Sequence, residues 1–220
     1  MKLLALETAT EACSAAVWMD GVVRERYELA PRCHAALILP MIESVLAEAG
    51  LTVNQLDAIA VGRGPGAFTG VRIAVSVAQG LAFAADLPVV PVSTLAALAL
   101  GAARETGQMR IATALDARMG EVYWGTWMVS EDRVALLGEE RVCAPALVTA
   151  TPDEWFGVGV GWSAYAQALS QRLTVSGWVG DRYPHASDIA RLAADPARRD
   201  SWVTAEQALP VYLRDRVVAC

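Results

Sequence analysis

Gly62-Arg63-Gly64-Pro65-Gly66-Ala67-Phe68-Thr69-Gly70-Val71-Arg72 joins an apolar, strand-like run, Leu56 to Val61, to a helix of small residues. Four glycines in nine residues mark a backbone that another segment, a phosphate or a packing helix approaches closely, because glycine carries no Cβ. Pro65 fixes its own φ and removes one backbone donor. A Walker phosphate loop is excluded, since it needs Gly-Lys-Ser/Thr and the only lysine of the chain is Lys2. Gly62, Gly64 and Ala67 match the dinucleotide spacing GxGxxG/A, which wants an acidic residue about 20 positions on at the end of a strand. Asp86 stands near that distance but precedes the next apolar run, Val89 to Val92, instead of ending it. The pattern alone favours a tight strand-to-helix turn with no ligand.

Upstream of the loop, Leu3 to Leu6 and Cys13 to Met19 read as strands, and Asp20-Gly21 as a hairpin turn into Val22 to Leu29. The period then changes. Leu37, Met41 and Val45, with Ile38 and Ile42 beside them, recur at three and four and predict a helix from His34 to Ala49, ended by Gly50 and carrying Pro40. Downstream, Gly70, Ala74, Ala78 and Ala82 recur every four residues, a stripe that lets a helix pack closely either on its own sheet or on a helix of another chain. A strand over Val89 to Val92 and a helix over Thr94 to Arg104 complete this half.

The second half opens the same way. Ile111 to Asp116 is a strand ending in a carboxylate, as Leu3 to Glu7 is, half a chain earlier. Strands over Glu121 to Val129 and Val134 to Val142 follow, then a strand over Val158 to Gly161 and helices over Ala164 to Leu173 and Ser187 to Ala194. A three-strand meander followed by alternating helix and strand, made twice, predicts an α/β fold of two related domains with mixed sheets. The expected division is 1–105 and 106–220, with a linker near Gly101 to Gln108 and a last segment packing back on the first domain.

In such a duplicated fold the first hairpin turn of each half is where phosphates would be held. The candidates are Glu7, Thr8 and Thr10 in one and Asp116 in the other, with carboxylates to orient a metal-bound water. A structural role for these turns competes, because Arg118 can pair with Asp116 or Glu121. Two histidines, His34 and His185, rule out a multi-histidine zinc site on count. His34 is followed four residues later by Ile38, so no HxxxH pair exists, and Cys33-His34 is a weak basis for a nucleophilic dyad. The net charge of −6 argues against direct attraction of nucleic acid. Scattered cysteines and no signal segment fit a reducing, cytoplasmic setting, and no uninterrupted apolar span is expected to cross a membrane. With 55% hydrophobic and 19% charged residues, solvated surface is scarce, so an apolar face covered by a partner is expected.

Leu6-Glu7-Thr8-Ala9-Thr10, Gly64-Pro65-Gly66-Ala67-Phe68-Thr69-Gly70-Val71-Arg72, Asp116-Ala117-Arg118-Met119-Gly120-Glu121-Val122-Tyr123 and Pro210-Val211-Tyr212-Leu213-Arg214, in that order, resemble the TsaB (YeaZ) family. The resemblance runs over essentially the whole chain. It implies a fold like that of acetate kinase, sugar kinases and actin. It also implies a part in making threonylcarbamoyladenosine at position 37 of tRNAs that read codons beginning with A. In that family the protein is a non-catalytic subunit without a cofactor of its own. It pairs through two helices of the first domain with TsaD, the metal-bearing transferase to which it is similar. TsaE, an ATPase, joins them, so ATP is used by the complex and tRNA is met through it. Without TsaD such proteins form homodimers through the same face. Carried onto this chain, the pairing face comprises His34, Leu37, Met41 and Val45 on one helix and Gly70, Arg72, Ala74, Ala78 and Ala82 on the other. They stand beside the glycine-rich loop Gly64, Pro65, Gly66, Phe68 and Thr69. The family more often has Asp at Glu7 and Ser at Ala67. A nucleotide-dependent kinase or ATPase of the same fold is the rival reading, and a peptidase is a further one that lacks a nucleophile with a positioned base.

Overall fold

In the first part of the chain, Lys2–Glu7 (β1), Ala12–Met19 (β2) and Val22–Leu29 (β3) form an antiparallel meander, in a computed structural model that describes residues 1–131 and 133–214. Asp20 and Gly21 both take positive φ, 50° and 90°, as a two-residue hairpin between twisted strands requires. His34–Ala49 (α1) follows, then Ala58–Gly62 (β4), Phe68–Ala85 (α2) and Val89–Val92 (β5). β4 pairs parallel to β1 and β5 parallel to β4, giving the order β3-β2-β1-β4-β5. Pro40 lies inside α1 on its exposed side, where the carbonyl it leaves unpaired can meet water.

The core of this sheet's α1/α2 side is made by Leu4, Leu6, Val17, Ile59 and Val61 from the strands, met by Ile38, Met41, Ile42 and Val45 of α1 and by Val71, Ala74, Val75, Ala78 and Ala82 of α2. This decides the stripe. Gly70, Ala74, Ala78 and Ala82 are buried against the chain's own sheet, with Ala74 and Ala78 0% exposed. α2 is long and apolar enough by composition to cross a membrane, and part of that apolar character belongs to this inner face.

Thr94–Thr106 (α3) carries the chain onward. It runs unbroken through most of the stretch read as a linker, because Ala102 is still buried and no Pro or positive-φ residue interrupts it before Gly107. Arg110–Arg118 (β6), Glu121–Ser130 (β7) and Arg133–Leu136 (β8) make the second meander; Glu154–Val158 (β10) and Thr174–Val179 (β11) add parallel strands. The order β8-β7-β6-β10-β11 repeats that of the first sheet, strand for strand. An additional short strand, Arg141–Cys143 (β9), pairs with β7.

Three expectations are corrected here. The strand read over Val134 to Val142 is two strands, because Gly138 turns the chain at φ 98°. The strand read over Val158 to Gly161 ends at Val158, and the helix Val160–Ser170 (α4) starts immediately after Gly159, four residues sooner than expected. β11 was not expected at all. Trp162 anchors α4 on the sheet: it is 0% exposed, its indole N–H donates to the Ala112 carbonyl at 2.8 Å, and it fills the space a Cβ on Gly157 would need.

The last helix, Ala186–Ala193 (α5), packs on β1, β2 and β4. The chain therefore divides into a first unit, Met1–Ala97 with Pro184–Pro210, and a second, Leu98–Tyr183 with the described residues from Val211 on. The first boundary falls after Ala97, where 105 was expected, and the segment that packs back on the first sheet is 184–210. Val203 bridges Val89 of β5, and Gln79 of α2 donates to the Ala208 carbonyl.

Candidate functional site

The first unit holds both features singled out by sequence, the Glu7–Thr10 turn and the glycine-rich loop, and they are one construction. Glu7 ends β1 and is fully buried. One of its carboxyl oxygens accepts from the Ala9 N–H at 2.6 Å and the other from the Thr94 hydroxyl at 2.9 Å. Burial pushes the Glu7 carboxyl up to about 7, with the Ala9, Thr94 and Thr8 hydrogen bonds pulling the other way. The Thr8 hydroxyl donates to the Gly70 carbonyl at 2.7 Å, and Ala67 N–H donates to the Ala9 carbonyl at 2.7 Å.

The glycines are explained by these contacts. A Cβ on Gly62 would overlap the Glu7 carboxylate, one on Gly66 the Ala9 carbonyl and one on Gly70 the Thr8 carbonyl. Gly64, at φ 92°, is joined to Pro65 by a cis peptide and accepts from the Thr94 N–H at 3.0 Å. The close approach signalled by four glycines is thus made by the chain's own β1 turn. Both Glu7 oxygens and the Ala9 amide are engaged within it, so these groups act as internal fasteners.

In the second unit Asp116 accepts from the Arg118 backbone N–H at 2.8 Å and pairs with the Arg118 guanidinium at 2.9 Å. Arg118, Met119 and Gly120 take φ of 63°, 57° and 77°, a left-handed turn that the Asp116 side chain braces from below. Glu121 pairs with Arg214. Among the described residues no group of three or more His, Cys, Asp or Glu is placed to hold a metal ion.

The remaining nucleophile and base candidates have structural duties. His34 is buried and its Nε2 lies 3.2 Å from the Ala12 carbonyl, while Cys33 is the exposed residue that precedes α1. Burial, then the charges of Glu28 and Glu7, push the buried Cys13 thiol up to about 11, which removes it as a nucleophile at neutral pH. His185 stacks on Tyr27 with centroids 4.2 Å apart and meets Glu25 at 3.1 Å. Glu25 also accepts from the Ser187 N–H and hydroxyl, so a strand carboxylate caps the start of α5.

The outward side of α1 and α2 is different in kind. Between the two helices lies an open, mainly apolar groove of about 480 Å³. α1 gives it Ala35, Ile38 and Leu39; α2 gives it Phe68, Thr69, Arg72, Ile73, Ser76 and Val77. Leu39 is 50% exposed and Phe68 47%. Of the residues placed on a pairing face from sequence, Arg72 lines this groove and Leu37 is half-buried at the edge of the core. Phe68 and Thr69 of the glycine-rich stretch line it as well. His34, Met41, Val45, Gly70, Ala74, Ala78 and Ala82 do not present a face; they are buried beneath it. The groove-lining residues not named as site residues from sequence are Ala35, Ile38, Leu39, Ile73, Ser76 and Val77. Positions 69, 72, 73 and 76 had the helical spacing of an outer face, but a mixed one that carries no single-property stripe.

Residues 19–190 match the family described as TsaD, tRNA N6-adenosine threonylcarbamoyltransferase. The chain is 43% identical to the Escherichia coli tRNA threonylcarbamoyladenosine biosynthesis protein TsaB, with 99% of this chain and 96% of the other covered. It is 42% identical to the Haemophilus influenzae protein of the same description, over 99% and 95%. A crystal structure from Pseudomonas aeruginosa, described as an uncharacterized protein with similarity to peptidase YEAZ, superposes with TM-score 0.91 at 49% identity, covering 97% of this chain and 99% of that one.

Proposed function

The chain belongs to the TsaB family of tRNA threonylcarbamoyladenosine biosynthesis proteins, and on that premise we propose that it is the non-catalytic subunit that pairs with the TsaD transferase through the outward side of α1 and α2. The observation that carries the reading is the groove itself: an open, mainly apolar surface between two helices of a chain that has few charges to spare. In the same reading the paired subunits help to recruit the ATPase TsaE, the complex uses the ATP, and tRNA is met mainly by the partners. When TsaD is absent the same side can seat a second copy. The engagement of Glu7 and Asp116 by their own turns supports an accessory role over nucleotide chemistry by this chain.

The test is tRNA modification by TsaD supplied with ATP, threonine, bicarbonate, the adenylate-forming enzyme and TsaE, with and without this chain. Modification that needs the chain, with no ATP turnover by the chain alone, is the expected outcome. Modification indifferent to it, or ATP hydrolysis by the lone chain that Asp116→Ala removes, would replace the accessory reading with the kinase-like one.

A further inference from the structure

A second cavity, of about 500 Å³, lies between the last turn of α2 and the returning segment 202–207, at the end of the helix away from the groove. Phe83, Leu87 and Trp202 give it apolar walls, Asp86 and Glu206 give it carboxylates, and no Lys, Arg or His lines it. Neither carboxylate has an ion pair or a hydrogen bond among the described residues. Phe83 is 75% exposed beside them. The walls are fixed: Val89 and Val203 exchange both backbone hydrogen bonds at 2.9 Å, the Thr204 N–H donates to the Gln207 side chain, and Gln79 holds the Ala208 carbonyl.

For the fold alone, this charge is misplaced. Asp86 follows α2 directly with φ 52°, where glycine or asparagine is the undemanding residue. Its carboxylate adds to the negative end of the helix dipole, and the last turn holds no basic residue to offset it. In a chain of net charge −6, an unpaired Glu206 on the same cavity compounds the repulsion. Local rules broken with no compensating contact inside the chain mark a place where the compensation comes from outside.

We propose that this cavity is a receptor for a guanidinium group on an apolar stem, the chemistry that an arginine side chain presents. The negative field selects a cation, and the volume is that of a small-molecule site, far larger than a bare metal ion needs. A guanidinium suits both kinds of wall at once: its plane stacks on an aromatic ring while its N–H edge matches a carboxylate with two parallel hydrogen bonds. An ammonium, compact and strongly hydrated, gives up more water for less contact. The indole N–H of Trp202 is buried without an acceptor among the described residues, and the main-chain carbonyl of an arginine residue supplies one. That favours an arginine carried on a segment of a partner protein over a free guanidine. The cavity shares no residue with the α1/α2 groove, so the inference stands apart from the pairing role.

The experiment titrates the isotope-labelled full chain, alone and at physiological salt, with arginine blocked at both ends, with the equally blocked lysine and citrulline, and with butylguanidinium. The readout is the indole N–H resonance of Trp202, identified by its loss in Trp202→Phe. Blocked arginine is expected to shift it saturably with a dissociation constant on the order of millimolar, the scale for one exposed ion pair and one stacking contact. Blocked citrulline, the uncharged isostere, is expected to leave it unmoved, and blocked lysine to bind more weakly than arginine. Asp86→Asn and Glu206→Gln should each weaken arginine about fivefold. Asp86→Asn should also melt no lower than the wild type, since the fold loses a misplaced charge. Butylguanidinium separates the sources: weaker binding than blocked arginine assigns the site to a protein segment, equal or tighter binding to a small free guanidine, and both support the receptor. Equal shifts from arginine and citrulline, lysine binding as tightly as arginine, or arginine binding untouched in the double variant would each overturn the guanidinium assignment. An Asp86→Asn chain that melts well below the wild type would show that the carboxylate serves the fold, and no saturable shift with any probe would remove the site itself.

Discussion

Glu7 is a carboxyl held wholly inside the protein, and its environment makes a signed statement about pH. Its folded pKa of about 7 stands above the ordinary value of 4.5, so the folded chain keeps a proton that the unfolded chain releases between those limits. The stability it contributes is full below pH 4.5 and is lost as pH rises through 7, by about 3 kcal/mol. Urea midpoints should fall between pH 5 and pH 8 in the wild type and fall much less in Glu7→Gln, whose amide stays neutral. A wild-type midpoint that climbs over this interval would contradict the assignment. At Gly70 the argument is steric. Gly70→Ala drives a Cβ into the Thr8 carbonyl and should cost ~3 kcal/mol, whereas Gly80→Ala, on the exposed side of the same helix with nothing near its Cβ, should gain up to ~1 kcal/mol. Thermal melts of the two variants moving in the same direction would refute the packing role given to the loop.

α2 has two sides, and positions two residues apart differ in consequence. Ala78→Arg places a charge in a core position that is 0% exposed and should leave no cooperatively folded protein, whereas Ser76→Arg, on the groove, should melt like the wild type and lose co-elution with TsaD. Size-exclusion with TsaD separates these outcomes. A Ser76→Arg chain that still co-elutes would show that the groove is not where pairing occurs. The stripe of small residues was legible as a helix face but not as which face, because close packing on a sheet and close packing on a foreign helix ask for the same Gly and Ala spacing. Glu7 in the first turn was legible as a position of interest, yet its partner Thr94 lies far along the chain and left no local signal. β11 was missed for a related reason: Thr174 to Val179 alternates exposed and half-buried at a sheet edge, and without a buried apolar run it was assigned to no element. The hairpin at Asp20-Gly21 and the helix His34–Ala49 were fully legible, since turn chemistry and a 3.6-residue period act locally.

At the scale of the molecule, the repeated strand order was foreshadowed by two apolar runs each followed by a carboxylate, Glu7 at the end of β1 and Asp116 two residues before the end of β6. What sequence could not assign was α5, because a short amphipathic helix does not say which sheet it covers. Charge acts at this scale too. With −6 net and a single lysine, the lone chain should not retain tRNA on a filter at physiological salt, and retention should appear only when TsaD is added. Retention by the chain alone would assign it a direct RNA contact. The return of 184–210 to the first unit also sets an order in time. A ribosome releases β1 to β5 early, but the helix that covers one side of that sheet is made only after residues 98–183 of the second unit. The first sheet therefore waits, half-covered, through most of synthesis, and a chain stopped short of α5 carries an exposed apolar sheet surface into the crowded space where it would otherwise meet its partner.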